Sequence, residues 1–117
     1  MLPLIYIVDD EQDIVDLISL HLNKYSFQTK GFLDAATFYQ QLAIKIPDLI
    51  ILDIMLPDEG GFEVCKYLKR DERYMDIPVI ILSARTGETD KILGLELGAD
   101  DYVTKPFSPG AMVDRIK

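Results

Sequence analysis

The sequence predicts an α/β fold organised around a parallel sheet, and two observations carry that prediction. Five short apolar runs alternate with five segments of helical period, the signature of successive βα units. Three of the runs, Leu4 to Val8, Leu49 to Asp53 and Val79 to Leu82, are almost continuously apolar, as strands buried on both faces of a parallel sheet are. The other two are Phe27 to Gly31 and Tyr102 to Thr104, and Phe27-Gln28-Thr29-Lys30 alternates as an edge strand would. Right-handed crossovers leave few topologies for such a chain. With 117 residues, 49% of them apolar, it is long enough for one real core and too short for two.

The first helix, about Glu11 to Lys24, carries Val15, Ile18 and Leu22 at core spacing and a second stripe of Ile14, Leu17 and His21 beside them. That second stripe has two readings, a wide core-facing sector or a partner-docking surface. The second helix, Asp34 to Ile46, has an N-cap candidate in Asp34 and stops before Pro47. The third runs from about Gly60 to Arg70, and the fourth from about Glu88 to Leu97, with Gly98 as its C-cap. The last begins after Ser108-Pro109, with the serine as cap and the proline in the first turn. Only roughly two turns of it precede Lys117, against the 10 to 14 residues of an average helix. Residues 1–117 are therefore expected to be a domain excised before a linker and a second module.

Twenty acidic against twelve basic residues give a net charge of −8, which disfavours nucleic acid or anionic lipid as a direct partner of this domain. The single cysteine, Cys65, excludes an internal disulfide and lies on the apolar stripe of the third helix, where it reads as core. Met1-Leu2-Pro3 lacks a basic leader, and no apolar run reaches the length of a signal core or a membrane span, so the expected location is cytoplasmic.

The chemistry gathers at the carboxyl ends of the strands, where open α/β sheets hold their ligands. Asp9-Asp10 follows the first strand and Asp53 ends the third, so three carboxylates converge there as a cation site. Taken alone, an Asp-Asp pair after a strand is more often a turn or a helix N-cap than a metal site. A carboxylate that accepts a phosphoryl group needs a divalent cation, because two anions repel and the transferred group spreads charge over three oxygens. Mg2+ takes one or two carboxylates, water and carbonyl oxygen, so Asp53, one of Asp9 and Asp10, and the Met55 carbonyl would suffice. Lys105 and Ser83, at the ends of the fifth and fourth strands, offer a fixed positive charge and a hydroxyl. A cis bond before Pro106 would hold the turn that aims the ammonium inward. Four strand ends supplying acid, acid, hydroxyl and lysine make coincidence the poorer explanation.

In these motifs the chain resembles the receiver domain of two-component response regulators over all 117 residues. The matching segments are Val8-Asp9-Asp10-Glu11, Asp53-Ile54-Met55-Leu56-Pro57 with Gly61 beyond it, Ser83-Ala84-Arg85, and Gly98-Ala99-Asp100-Asp101-Tyr102-Val103-Thr104-Lys105-Pro106-Phe107. The resemblance implies a doubly wound, flavodoxin-like sheet of five parallel strands in the order 2-1-3-4-5 with helices on both faces. It further implies that Asp53 accepts a phosphoryl group from a sensor histidine kinase with Mg2+, that Asp9 and Asp10 bind the metal, and that Lys105 holds the phosphate. Ser83 becomes the switch hydroxyl and Tyr102 the switch aromatic that turns inward, a population shift between two states.

The stretch Lys91 to Asp101 is close to the pattern of winged-helix DNA-binding response regulators. In that subfamily the fourth helix, fifth strand and fifth helix form a phosphorylation-dependent homodimer face, to which Lys91, Glu96, Asp100, Asp101 and Arg115 correspond. DNA would then be reached only through a C-terminal module outside this chain. Ala111 and Met112 depart from the subfamily's usual Glu and Leu, and Gly60-Gly61 replaces the commoner Asp-Gly, which loosens the loop beside Asp53. The resemblance places kinase docking on Ile14, Leu17, His21, Pro106 and Phe107. Met55 and Arg85, each two residues past a site residue, are poor bases for water and predict slow self-dephosphorylation. Met55 also stands where an aspartyl phosphatase needs a second acid, and Asp9-Asp10-Glu11 would repel the phosphate of a flavodoxin-like cofactor. An unphosphorylated interaction module is the rival reading that the residues exclude least.

Overall fold

The computed structural model describes residues 2–83, 93, 95–105 and 108–116. The strands are β1 (Leu4–Val8), β2 (Gln28–Phe32), β3 (Leu49–Asp53), β4 (Val79–Ser83) and β5 (Asp101–Thr104), all parallel, in the spatial order β2-β1-β3-β4-β5. The helices are α1 (Gln12–Lys24), α2 (Ala35–Ile44), α3 (Gly61–Arg70) and a C-terminal helix (Pro109–Ile116). The predicted doubly wound sheet and its strand order are what the chain adopts. Of the expected fourth helix, Leu93, Leu95 and Glu96 are helical, while 88–92 and 94 lie outside the described residues.

Alternation along the strands sends successive side chains to opposite faces, and each face has its own core. Tyr6, Val8, Ile50, Leu52, Val79 and Ile81 pack under α2 and α3, meeting Phe38, Leu42, Val64, Cys65 and Leu68. Ile5, Ile7, Ile51, Ile80 and Leu82 pack under α1 and the C-terminal helix, meeting Val15, Ile18, Leu22, Met112 and Val113. Cys65 is buried and unpaired with any other cysteine, as its place on the α3 stripe predicts. Met112, where the subfamily pattern has a Leu, is a core residue at 1% exposure.

Local chemistry sets the boundaries. Asp34 caps α2 as expected, accepting from Thr37 N at 2.8 Å and from its hydroxyl at 2.7 Å. Gly98 closes the preceding turn at φ +103°, where an added Cβ would also lie 2.7 Å from Lys69 Cγ. The second strand starts one residue later than its apolar pattern suggests. Ser26 adopts φ 67° and Phe27 N donates to Leu22 O at 3.2 Å, so Phe27 belongs to the end of α1 and pairing begins at Gln28, whose N–H donates to Pro3 O. No described helix is long and apolar enough to cross a membrane.

Candidate functional site

Because all five strands run the same way, Val8, Asp53, Ser83 and Thr104 end at one edge of the sheet, and the residues that follow them share it. Asp9, immediately after β1, is fully buried. One of its oxygens accepts Glu11 N at 2.9 Å and so starts α1, while its backbone N–H donates to Phe32 O on β2. The other oxygen, Oδ2, has no hydrogen-bond partner among the described residues, and faces Lys105 Nζ at 3.0 Å as an ion pair outside hydrogen-bonding geometry. Asp53 is 3% exposed and accepts Met55 N at 3.3 Å. Asp10 is exposed, and carboxylate oxygens of Asp9, Asp10 and Asp53 all come within 4.8 Å of one another.

Lys105 is held at this edge by its own backbone, whose N–H donates to Ser83 O at 2.7 Å. Its ammonium lies 3.7 Å from Asp53 and 3.8 Å from Glu11, in addition to its contact with Asp9. Burial, and then the Asp9 charge, push the Asp53 carboxyl up to about 6. Burial raises Asp9 as well, against the opposing pull of the Glu11 N–H and Lys105. For Lys105, burial works downward, yet its contact with Asp9 and the charges of Asp53, Asp9 and Glu11 outweigh it and hold the ammonium protonated. Two buried acids and a single lysine thus leave an excess of negative charge, beneath a cleft of about 260 Å³ lined by Asp10, Glu11, Asp53, Met55 and Lys105.

The donor set suits a hard divalent cation. It consists of oxygen atoms alone, one of them the buried and unsatisfied Oδ2 of Asp9, and Mg2+ prefers such ligands. Asp9, Asp10 and Asp53 are the residues that would hold it, with the cleft leaving room for water.

Ser83 is buried at the end of β4, and Tyr102 is 3% exposed, its ring within the core cluster under α2 and α3. The expected switch aromatic therefore already occupies an inward position. Ile14 is half-buried against the α1 core, Leu17 is 36% exposed, and the His21 ring sits 3.1 Å from Leu17 O. The second stripe of α1 thus divides between the two readings, Ile14 toward the core and Leu17 toward solvent. Asp101 and Arg115 pair with each other, joining β5 to the C-terminal helix. Asp100 accepts Val79 N at 2.8 Å and lies 3.7 Å from Lys69, and Glu96 is exposed. Arg85, Lys91, Pro106 and Phe107 lie outside the described residues.

Sequence reasoning named Glu11 and Gly61 only as parts of motifs, without their roles, and passed over Asp58. Glu11 faces Lys105 and lines the cleft, although it could be read from the Asp-Asp-Glu run. Asp58 accepts Ala35 N and Ala36 N, both at 2.9 Å, tying the loop after Asp53 to the start of α2. No local pattern reveals a cap supplied from so far along the chain. Gly61 packs flush against Asp53, for an added Cβ would stand 2.3 Å from Asp53 O and 2.5 Å from Ile54 Cα. Gly60, by contrast, has open space around it and an ordinary φ of −66°, so nothing in the fold demands glycine there.

A doubly wound parallel sheet with buried acids, a lysine and a hydroxyl at its carboxyl edge is the architecture of a receiver. Residues 5–117 match the response regulator receiver domain, and the chain belongs to that family. The transcriptional regulatory protein GltR of Pseudomonas aeruginosa is 44% identical over 113 residues, which are 97% of this chain and 47% of that protein. The phosphate regulon transcriptional regulatory protein PhoB of Escherichia coli is 46% identical over 113 residues, 97% of this chain and 49% of that protein. Among solved structures, the BeF3-activated receiver domain of DrrB, a Thermotoga maritima OmpR/PhoB homologue, has a TM-score of 0.90 at 34% identity, with coverage of 99% of this chain and 95% of that one. The chain spans about half the length of the curated relatives it matches, and these relatives are transcriptional regulators.

Proposed function

We propose that this domain is a phosphorylation-driven switch in which Asp53 accepts a phosphoryl group from the histidine of a sensor kinase. The observation that carries the reading is the convergence of Asp9, Asp10 and Asp53 within 4.8 Å, with Lys105 Nζ 3.7 Å from Asp53, under an open cleft. An Asp53 oxygen forms the new P–O bond as the P–N bond to the kinase imidazole breaks, and the imidazole departs with the bonding pair. With its carboxyl at about 6, Asp53 is mostly ionised at neutral pH and able to attack. Lys105 stays cationic and shifts from its ion pairs toward the incoming phosphoryl oxygens, while the Ser83 hydroxyl offers them a neutral donor. Mg2+, held by Asp9, Asp10, Asp53 and the Met55 carbonyl, supplies when bound the positive charge that lets two anions approach.

The family resemblance suggests a further step, in which the phosphorylated site draws Ser83 inward with Tyr102 packed behind it. The face carrying Lys91, Glu96, Asp100, Asp101 and Arg115 then pairs with a second copy. The Asp101–Arg115 pair would have to open or be shared for this. A module outside this chain is the proposed route to DNA, in keeping with relatives about twice its length, and the net charge of −8 agrees with a receiver that does not touch DNA itself. Kinase docking falls on Ile14, Leu17 and His21 of α1, together with Pro106 and Phe107.

The test is intact mass after incubation with acetyl phosphate, with and without Mg2+, on this protein and on Asp53→Asn. A single phosphoryl adduct that needs both Mg2+ and Asp53 is the expected result. A folded, Mg2+-binding sample that gains no adduct would replace this reading with an unphosphorylated interaction module.

A further inference from the structure

We propose that the pocket between α2, α3 and the loop after β3 is a docking subsite for an arginine side chain of a protein partner. The pocket has a volume of about 370 Å³ and is lined by Tyr39, Glu59 and Tyr67. The two rings stand 5.3 Å apart at 77°, so the face of one is presented beside the edge of the other. The Tyr39 hydroxyl donates to Glu59 Oε2 at 2.5 Å, which pins the carboxylate against the rings and leaves Oε1 to accept from an incoming donor. No lysine or arginine among the described residues forms an ion pair with Glu59.

The same aromatic row shows what such a corner holds. It continues from Tyr67 to Tyr74 at 6.3 Å, and there the guanidinium of Arg73 lies over the Tyr74 ring at 4.7 Å. Arg73 also forks onto Asp71, with Nε at 3.0 Å and Nη2 at 2.8 Å. Aromatic face, guanidinium and carboxylate are thus combined at one end of the row. The Tyr39–Tyr67–Glu59 end repeats the face and the carboxylate, with no cation from the described residues paired to it. A guanidinium suits it better than an ammonium, because a planar fork stacks on a ring and reaches a carboxylate at once. Tyr67 is 43% exposed, so the opening admits a side chain still attached to a polypeptide, and the net charge of −8 favours encounter with a basic surface.

The experiment is an NMR titration of the backbone amides with the capped peptide Ac-Gly-Arg-Gly-NH2, alongside Ac-Gly-Lys-Gly-NH2 and free L-arginine. Saturable shifts centred on Tyr39, Glu59 and Tyr67 are expected with the arginine peptide, roughly fivefold or more weaker with the lysine peptide. Glu59→Gln, which keeps an acceptor for Tyr39 but removes the charge, should weaken binding by a similar factor, as should Tyr67→Leu. If Tyr67→Leu does not fold, Glu59→Gln decides alone. The proposal is overturned if no saturable shift occurs up to about 50 mM peptide, if Glu59→Gln binds equally well, or if the lysine peptide binds as tightly. Tighter binding of free L-arginine than of the peptide would make this a small-molecule site and equally overturn it.

Discussion

Replacing Asp53 by Asn should stabilise the metal-free domain, and the size of the gain follows from the electrostatics of the site. The Asp53 carboxyl moves from 3.8 to about 6, through burial first and the Asp9 charge second. Each pKa unit corresponds to about 1.4 kcal/mol, so ionised Asp53 costs the native state up to about 3 kcal/mol at neutral pH. That shift is already net of the Lys105 attraction, but Asn buries an amide whose own hydrogen bonds are not all met, leaving an expected increase of about 1 to 2 kcal/mol. For a domain of this size that is a rise in melting temperature of roughly 4 to 10 °C. The sign fixes the pH profile. A carboxyl whose folded pKa is raised binds more protons in the native state, so wild-type stability falls as pH climbs from about 4 through about 6. The advantage of Asp53→Asn should therefore be small near pH 4, grow across that window and stay constant above about 7. Urea unfolding followed by circular dichroism at several pH values, in excess chelator, measures it. Adding Mg2+ should then stabilise the wild type more than the variant. An Asp53→Asn protein no more stable than wild type at pH 7.5, or a gain independent of pH, would refute the account of the acid cluster as a strained pair.

Other outcomes follow from single contacts. Gly61→Ala drives a methyl into Asp53 O and Ile54 Cα, and should cost about 3 kcal/mol in thermal unfolding; an effect under about 1 kcal/mol would mean that α3 can slide on β3. Ser26→Gly relieves a left-handed serine and should stabilise by about 0.5 to 1 kcal/mol, since the relief exceeds the extra freedom given to the unfolded chain. Leu17→Ala should slow transfer from the cognate kinase by roughly tenfold while leaving the acetyl phosphate reaction unchanged; equal slowing of both would remove α1 from the docking face.

The fold was legible because its central strands are buried on both faces, which leaves little but apolar residues in Leu4 to Val8, Leu49 to Leu52 and Val79 to Leu82. The same logic failed by one residue at Phe27, where an apolar side chain closes a helix instead of opening a strand, through a left-handed serine that no pattern announces. At the site, the residue types were readable from strand ends, but their division of labour was not. Nothing in Asp9-Asp10 says that the first is fully buried beneath Lys105 and the second exposed. The links from Asp58 to α2 and from Glu59 to Tyr39 join segments 20 or more residues apart, beyond the reach of local periodicity.

The connection from β3 to α3 is short of slack. Met55 and Gly60 bridge across it, Gly61 N donates to Ile54 O at 2.7 Å, Asp58 grips the start of α2, and Glu59 takes the Tyr39 hydroxyl. Surface loops ordinarily absorb insertions at little cost, because closure entropy grows slowly with length. Here one added residue would have to break a bridge, a helix cap or an aromatic contact before it could be housed. Gene-level changes in length should therefore be purged from residues 54–60 while neighbouring turns drift, and a domain grafted for biosensing is better spliced elsewhere.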